Sequence, residues 1–400
     1  MRYSFRLAEI LDHVPDPRKR PGTIKAIVEY TGLDRHQVAA LLKNEVKYIP
    51  LKALSRLCDY LIEHGYAAAD ELPGALFAVE PENFWELLAR RRRLELCVGI
   101  RKTDPAEGPE NACVIASDAV LLGELLNGVS TLGGTAKHSR RGGAPQGMLP
   151  AAPSPAPHPE TLKQTLVWSP GQCPETEMVA RAREVYDDFY ESPGDRALIC
   201  LGSVKSNPVV ELIFANLFGG EAFVPQEVDA PQDRTCPIYF RFRDNDPTVP
   251  TFIGGKKLSK AKSKEVPGIY YEKPDGSWDC VPWKPGESDA ALVFYVHRES
   301  QGCLEMALCG FSGRATRFLA RTLANRAEEF WPPTYSGHGI QVGAFIAQFV
   351  TSGAEENGRD QLLTDQVASV NVVGIDPEVF ARRLSQMHPA SQPQEEAPVE

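Results

Sequence analysis

Apolar residues recur along the first 65 positions with the spacing of short amphipathic helices. Ile24, Ile27 and Val28, then Leu33, Val38, Leu41 and Leu42, mark one stripe on each of two consecutive helices within residues 23–44. Gly32 falls where the chain must turn sharply between them, and glycine tolerates the positive φ that such a turn uses. Asp34 stands just before the second stripe, where a carboxylate accepts the N–H groups of a first helical turn. Ile49, Leu51, Leu54, Leu57 and Leu61 predict a further helix whose apolar side completes the core. The opening residues, 1–14, read as a broken amphipathic helix interrupted by acids.

Beyond residue 66 the pattern changes. Residues 67–83 are polar and contain proline, as in a linker. From 84 to 387, apolar runs of strand length alternate with helical periods. Helices are predicted at 84–93, 118–126, 175–190, 208–218 and 316–330. Strands are predicted at 94–100, 112–115, from 162 onward, and at 196–201, 290–297, 305–309 and 341–350. Strand–helix alternation predicts an α/β sandwich on a largely parallel sheet. Residues 236–283, rich in proline, glycine and aromatics, read as β-hairpins or loops inserted near one edge. Residues 133–162 and 388–400 hold almost no large apolar side chains, so burial cannot offset their ordering entropy; both read as disordered. The expected organisation is an all-α domain over 1–66, a linker over 67–83, an α/β domain over 84–387 and a disordered tail.

Composition narrows the class. Four hundred residues with 42% hydrophobic content suit two or three ordinary globular domains. No run of 18 apolar residues reads as a membrane span, and the N-terminus does not read as a signal peptide. Nine cysteines are scattered with no C-x-x-C pair, which argues against a zinc ribbon and a disulfide framework and for a reducing, cytoplasmic setting. Residues 1–65 carry 11 Lys/Arg against 8 Asp/Glu, near +3, in a chain of net charge −10, so the remainder is near −13. A basic module on an acidic body is the asymmetry expected of a protein that touches phosphate with one end.

The second stripe leaves Arg35, His36 and Gln37 facing outward at a helix N-terminus, a set suited to the DNA major groove. With Gly32, Asp34 and the apolar spacing around them, residues 1–66 resemble the Cro/C1-type (XRE-like) helix-turn-helix domain. Asn44 takes the small polar place in that family's exit loop, while Ile24 stands where the family often has glutamine. The resemblance implies that Arg35 and Gln37 read bases, that Lys25, Lys43 and Lys47 meet phosphate, that His36 and Asn44 belong to the same DNA-binding set, and that the protein binds double-stranded DNA as a homodimer.

Two strand-to-helix turns in the α/β part offer further chemistry. Residues 196–214 run from an apolar strand through Gly202, Ser203, Lys205, Ser206 and Asn207 into a helix beginning at a proline. Residues 307–323 repeat the logic with Gly310, Ser312, Gly313, Arg314 and Thr316. Backbone donors and cations at helix N-termini make anion sites, and open α/β sheets bind ligands at the carboxyl ends of their strands. Both turns are expected to hold one small anionic ligand, a phosphate or carboxylate. Neither matches a Walker A or G-x-G-x-x-G pattern, so the sequence names no cofactor. The two turns loosely resemble Rossmann-like sensor domains of bacterial regulators, which implies a DNA-binding regulator with a ligand-sensing domain. A nucleotide- or nucleoside-processing enzyme with a helix-turn-helix arm is the alternative, and a scaffold or defence protein a third. The run 241–247 reads as a surface turn, and His297, at a strand end, as a structural residue. No catalytic triad or metal motif can be assembled.

Overall fold

The computed structural model describes residues 2–5, 7–11, 23–43, 45, 48–67, 69, 72–73, 76–104, 109–132, 161–192, 195–226, 233–246, 250–255, 266–298, 302–337, 340–351 and 367–387. Of the predicted disordered loop at 133–162, residues 133–160 lie outside them, as do the tail from 388, Asn44 and Lys47, while Thr161 and Leu162 belong to a strand that begins one residue earlier than the apolar run suggests. The chain divides into two compact units: Met1–Glu82 with Arg298–Cys303, and Asn83–His297 with Leu304–Glu400.

The first unit holds β1 (Arg2–Phe5), α1 (Leu7–Leu11), α2 (Thr23–Thr31), α3 (Arg35–Leu42), α4 (Leu51–Glu63) and β2 (Phe77–Glu80). Ile27, Leu33, Val38, Leu41, Leu57 and Leu61 form its core with Leu7, Leu11, Tyr60 and Leu76. Two features depart from the sequence reading. Residues 2–5 are a strand, and the stretch read as a linker contributes its partner, β2, with Phe5 opposite Phe77 and their rings 5.3 Å apart. Leu51 is 82% exposed and supplies no core. It opens α4, directly after the N-cap Pro50, and the inward stripe falls instead on Ala53, Leu57, Tyr60 and Leu61.

The second unit is built on a nine-stranded sheet. Its strands are β3 (Arg93–Arg101), β4 (Cys113–Val114), β5 (Thr161–Trp168), β6 (Arg196–Leu201), β11 (Ser288–Arg298), β12 (Cys303–Gly310), β13 (Tyr335–Gly337), β14 (Ile340–Thr351) and β15 (Val367–Gly374), in the order β13-β14-β11-β12-β6-β3-β4 with β15 on β14 and β5 on β3. β5 and β6 pair parallel to β3. The Gly202 amide donates to Leu308 O at 2.9 Å, so the carboxyl ends of β6 and β12 lie side by side and those strands run the same way. The rest is antiparallel, so the sheet is mixed rather than largely parallel. The cause is chain length between strands. Four residues join β11 to β12, and a parallel crossover needs a dozen or more.

Alternation along the strands sorts the two faces. Leu304, Met306 and Leu308 of β12 pack with α5 (Phe84–Ala89), α6 (Ala116–Thr131) and the helix that follows β12 at Gly313–Arg326. On the other face, Phe294 stacks on Phe214, and Glu305 receives hydrogen bonds from Tyr186 and Tyr190. That face carries α7 (Glu175–Glu191) and α8 (Val209–Phe218), and Phe218 in turn stacks on Phe380 of the C-terminal helix. The helix after β12 is α9 (Gly313–Arg326) and the C-terminal one α10 (Pro377–Met387). The helices after β6 and β12 thus leave to opposite faces although their strands are neighbours.

A separate four-stranded sheet, ordered β10-β9-β7-β8, is formed by β7 (Ile238–Arg241), β8 (Gly254–Gly255), β9 (Gly268–Glu272) and β10 (Trp278–Pro282). Two buried acids tie it down. Arg382 and Arg383 of α10 both pair with Glu272, at 2.9 and 2.7 Å. Glu211 of α8 accepts from Thr251 Oγ1 at 2.7 Å, from the Phe252 amide and from the Phe223 amide.

Candidate functional site

The first candidate surface is the N-terminus of α3. Gly32 adopts φ +74°, the turn conformation that lets α3 leave α2 sharply. Asp34 caps α3: its Oδ1 accepts from the Gln37 amide at 2.8 Å, and Gln37 Oε1 accepts from the Asp34 amide at 3.1 Å. This is a reciprocal capping box, which fixes the first turn. Arg35 and His36 are exposed beside it. Lys25 is exposed and 3.7 Å from Glu29, and Lys43 is exposed at the C-cap. Gln37 therefore serves the helix as well as the surface.

The two glycine turns touch. Lys205 Nζ donates to Phe311 O at 2.9 Å, and Cys309 Sγ lies 3.3 Å from Gly202 O. They differ in exposure. Every residue of 202–207 is buried. Gly202 takes φ +95°. The Ser203 carbonyl accepts from Ser206 Oγ at 3.2 Å, and Ser203 Oγ from the Lys205 amide at 3.4 Å. Asn207 is fully engaged. Its Nδ2 donates to Cys97 O (2.9 Å) and Leu201 O (3.3 Å), and its Oδ1 accepts from the Val209 amide (3.1 Å). Lys205 pairs with Asp246 at 3.0 Å, and its ammonium lies over the Phe311 ring at 4.4 Å. Burial pulls the Lys205 ammonium below its ordinary pKa, against the pull of Asp246. Asp246, in the stretch read as a surface turn, is only 6% exposed. Despite its own desolvation, Arg243 and Lys205 hold its carboxyl below the usual range.

The second turn opens on a cleft of about 380 Å³, lined by Ser117, Arg243, Trp283, Lys284, Gly313 and Arg314 among others. Ser312 caps α9, accepting from the Arg314 and Ala315 amides at 3.1 and 3.3 Å and donating to Asp289. Burial pushes the Asp289 carboxyl up. Gly310 and Thr316 lie behind the cleft. A side chain on Gly310 would strike Thr316, whose hydroxyl donates to Ser312 O at 3.1 Å. Of the expected ligand residues, Ser312, Gly313 and Arg314 thus reach the cleft, while the first turn packs beneath. Arg243, Trp283, Lys284 and Ser117 reach it from far along the chain, and no motif signals them. A second hollow, about 400 Å³, lies over Leu166, Trp168 and Glu177. Two of its charged residues, Arg181 and Glu184, pair with each other at 2.9 Å, so it gathers no convergent charge.

Among the described residues, no cluster of three or more His, Cys, Asp or Glu side chains is placed to hold a metal ion, and no helix is long and apolar enough to cross a membrane. Residues 18–62 match the family model of a Cro/C1-type helix-turn-helix DNA-binding domain. The chain therefore carries a helix-turn-helix DNA-binding region at its N-terminus. No curated protein and no solved structure matches the chain.

Proposed function

We propose that the protein is a transcriptional regulator that binds an operator through α3 and senses a small anionic ligand with its α/β domain, acting as a homodimer. The observation that carries this reading is the match over residues 18–62 together with a capped α3 that presents Arg35 and His36 to solvent. The parallel block β5-β3-β6-β12, with helices on both faces, supports a Rossmann-like sensing domain. Arg35→Ala is expected to weaken operator binding by about 1–3 kcal/mol and to relax base preference at one position. Selection from random duplexes followed by titration at several salt concentrations measures both. Affinity that fails to fall with added salt, or a selection that yields no enriched sequence, sinks the reading.

The enzyme reading has one observation in its favour. Asp118 is buried, its Oδ1 accepts from Ser117 Oγ at 3.2 Å beside the cleft, and its Oδ2 has no hydrogen-bond partner. Burial raises its carboxyl above the usual range, as a general acid requires. Product formation from a cleft ligand, lost in Asp118→Asn, would replace the sensor with a catalyst.

A further inference from the structure

We propose that the cleft beside Ser312 is a phosphate site: it takes a small organic phosphate, held between the N-termini of α6 and α9 and by Arg243, Arg314 and Lys284. The proposal names the ligand class of the sensing domain, and so rests on the sensor reading for its regulatory consequence though not for binding itself.

Three observations carry it. First, α6 begins without a cap. Its N-cap residue is Ile115, which offers no side-chain acceptor, and Ile115, Ala116 and Ser117 all line the cleft. A 16-residue helix thus presents first-turn N–H donors and the positive end of its dipole to an open cavity. α9 starts at the same place. Gly313 lies so near α6 that an added Cβ would sit 3.3 Å from Ser117 Oγ, so the two helix ends adjoin.

Second, the cleft gathers cations in a part of the chain that is strongly acidic. Arg243, Lys284, Arg314 and Arg317 line it. The two acids that line it, Glu287 and Asp289, are already engaged. Glu287 lies 3.8 Å from Lys284. Asp289 accepts from Ser312 and from the Ala290 amide. Arg243 is held in place from behind: Asp246 accepts from its Nε and Nη2 at 3.1 and 2.7 Å, Lys205 occupies the other Asp246 oxygen, and the guanidinium lies 5.1 Å from the Trp283 ring centre.

Third, Arg314 Nε is buried and has no hydrogen-bond partner. The same guanidinium lies over the Phe318 ring, 5.3 Å from its centre, which holds it at the cleft wall where its outer nitrogens can meet a ligand oxygen. Geometry favours phosphate among anions: its three acceptor oxygens can meet both helix ends and a guanidinium together, where a carboxylate offers two. The cavity, about 380 Å³, lies in the range of small-molecule sites, larger than a bare phosphate fills, so the phosphate is esterified.

The test uses the full chain. Binding of inorganic phosphate, ribose 5-phosphate and adenosine monophosphate is measured by calorimetry and thermal shift, with acetate and succinate as controls, and each is repeated with labelled operator present. The phosphorylated esters are expected to bind and raise the Tm while the carboxylates do not. Arg314→Glu and the solvent-exposed Lys284→Glu should each weaken ester binding by about tenfold or more, the loss of one charge-assisted contact. Lys284→Glu sits on the surface and keeps the test valid should Arg314→Glu misfold. Carboxylates binding as well as esters, no ester binding at millimolar concentration, or both variants binding as wild type would overturn the site. Ester binding that leaves operator affinity unchanged upholds the site and removes the sensor reading. Operator affinity that responds to a ligand without phosphate does the reverse.

Discussion

Replacing Glu211 by Gln is expected to flatten the stability of the protein between pH 5 and pH 8. Glu211 is fully inside the fold, and burial, only partly offset by hydrogen bonds from Phe252, Thr251 and Phe223, lifts its carboxyl from 4.5 to about 7. A raised folded-state pKa means that the native chain holds this proton more tightly than the unfolded chain. The stabilisation it brings is fully present below about 4.5 and is lost as pH climbs through about 7. The swing from this one group is roughly 3 kcal/mol, a large part of the stability of a typical domain. Glutamine has nearly the same shape, and the Thr251 hydroxyl can turn from donor to acceptor, so the contacts survive without a titrating proton. Urea unfolding at the two pH values reads the effect. The wild type should be more stable at the lower pH and the variant should show a smaller difference; an unchanged slope would place the proton elsewhere.

Asn207→Ala is expected to destabilise the α/β unit by about 2–4 kcal/mol, because three buried backbone groups lose their partners at once. The carbonyls of Cys97 and Leu201 and the amide of Val209 all meet this side chain. Asn207→Asp should do comparable harm, since a carboxylate cannot donate to the two carbonyls. Thermal melting measures the loss. A variant that melts like wild type but no longer responds to ligand would instead place Asn207 in the binding machinery.

These two residues show where the sequence spoke clearly and where it did not. Asn207 and Pro208 after an apolar strand announce a strand-to-helix turn, because capping is local chemistry read over four residues. The helix-turn-helix was legible for the same reason: Gly32, Asp34 and the apolar stripes act within one short segment. What the side chain of Asn207 reaches is not local. Its partner Cys97 lies on β3, and no spacing rule announces that contact. The strand at residues 2–5 was missed because its partner, residues 77–80, lies in a stretch whose composition is that of a linker. The DNDP turn looked solvated until Lys205 arrived from 41 positions away to bury Asp246. The cleft follows the same pattern. Ser312, Gly313 and Arg314 were visible as a turn, while Arg243, Trp283 and Lys284 are ordinary residues until the insertion folds back.

The reciprocal cap at α3 alters how a base pair would be weighed. Gln37 already spends its carbonyl oxygen on the Asp34 amide. An adenine that recruits this side chain in the bidentate manner must take it from the helix, at a cost of about 0.5–2 kcal/mol typical of a lost cap. Discrimination at that position is then a competition between two protein-bound states of one amide, not a contest between a base and water. Asp34→Pro, at a position that touches no base, would remove the N–H that holds this oxygen, release Gln37 from its intramolecular duty and shift the sequence preference of the reader.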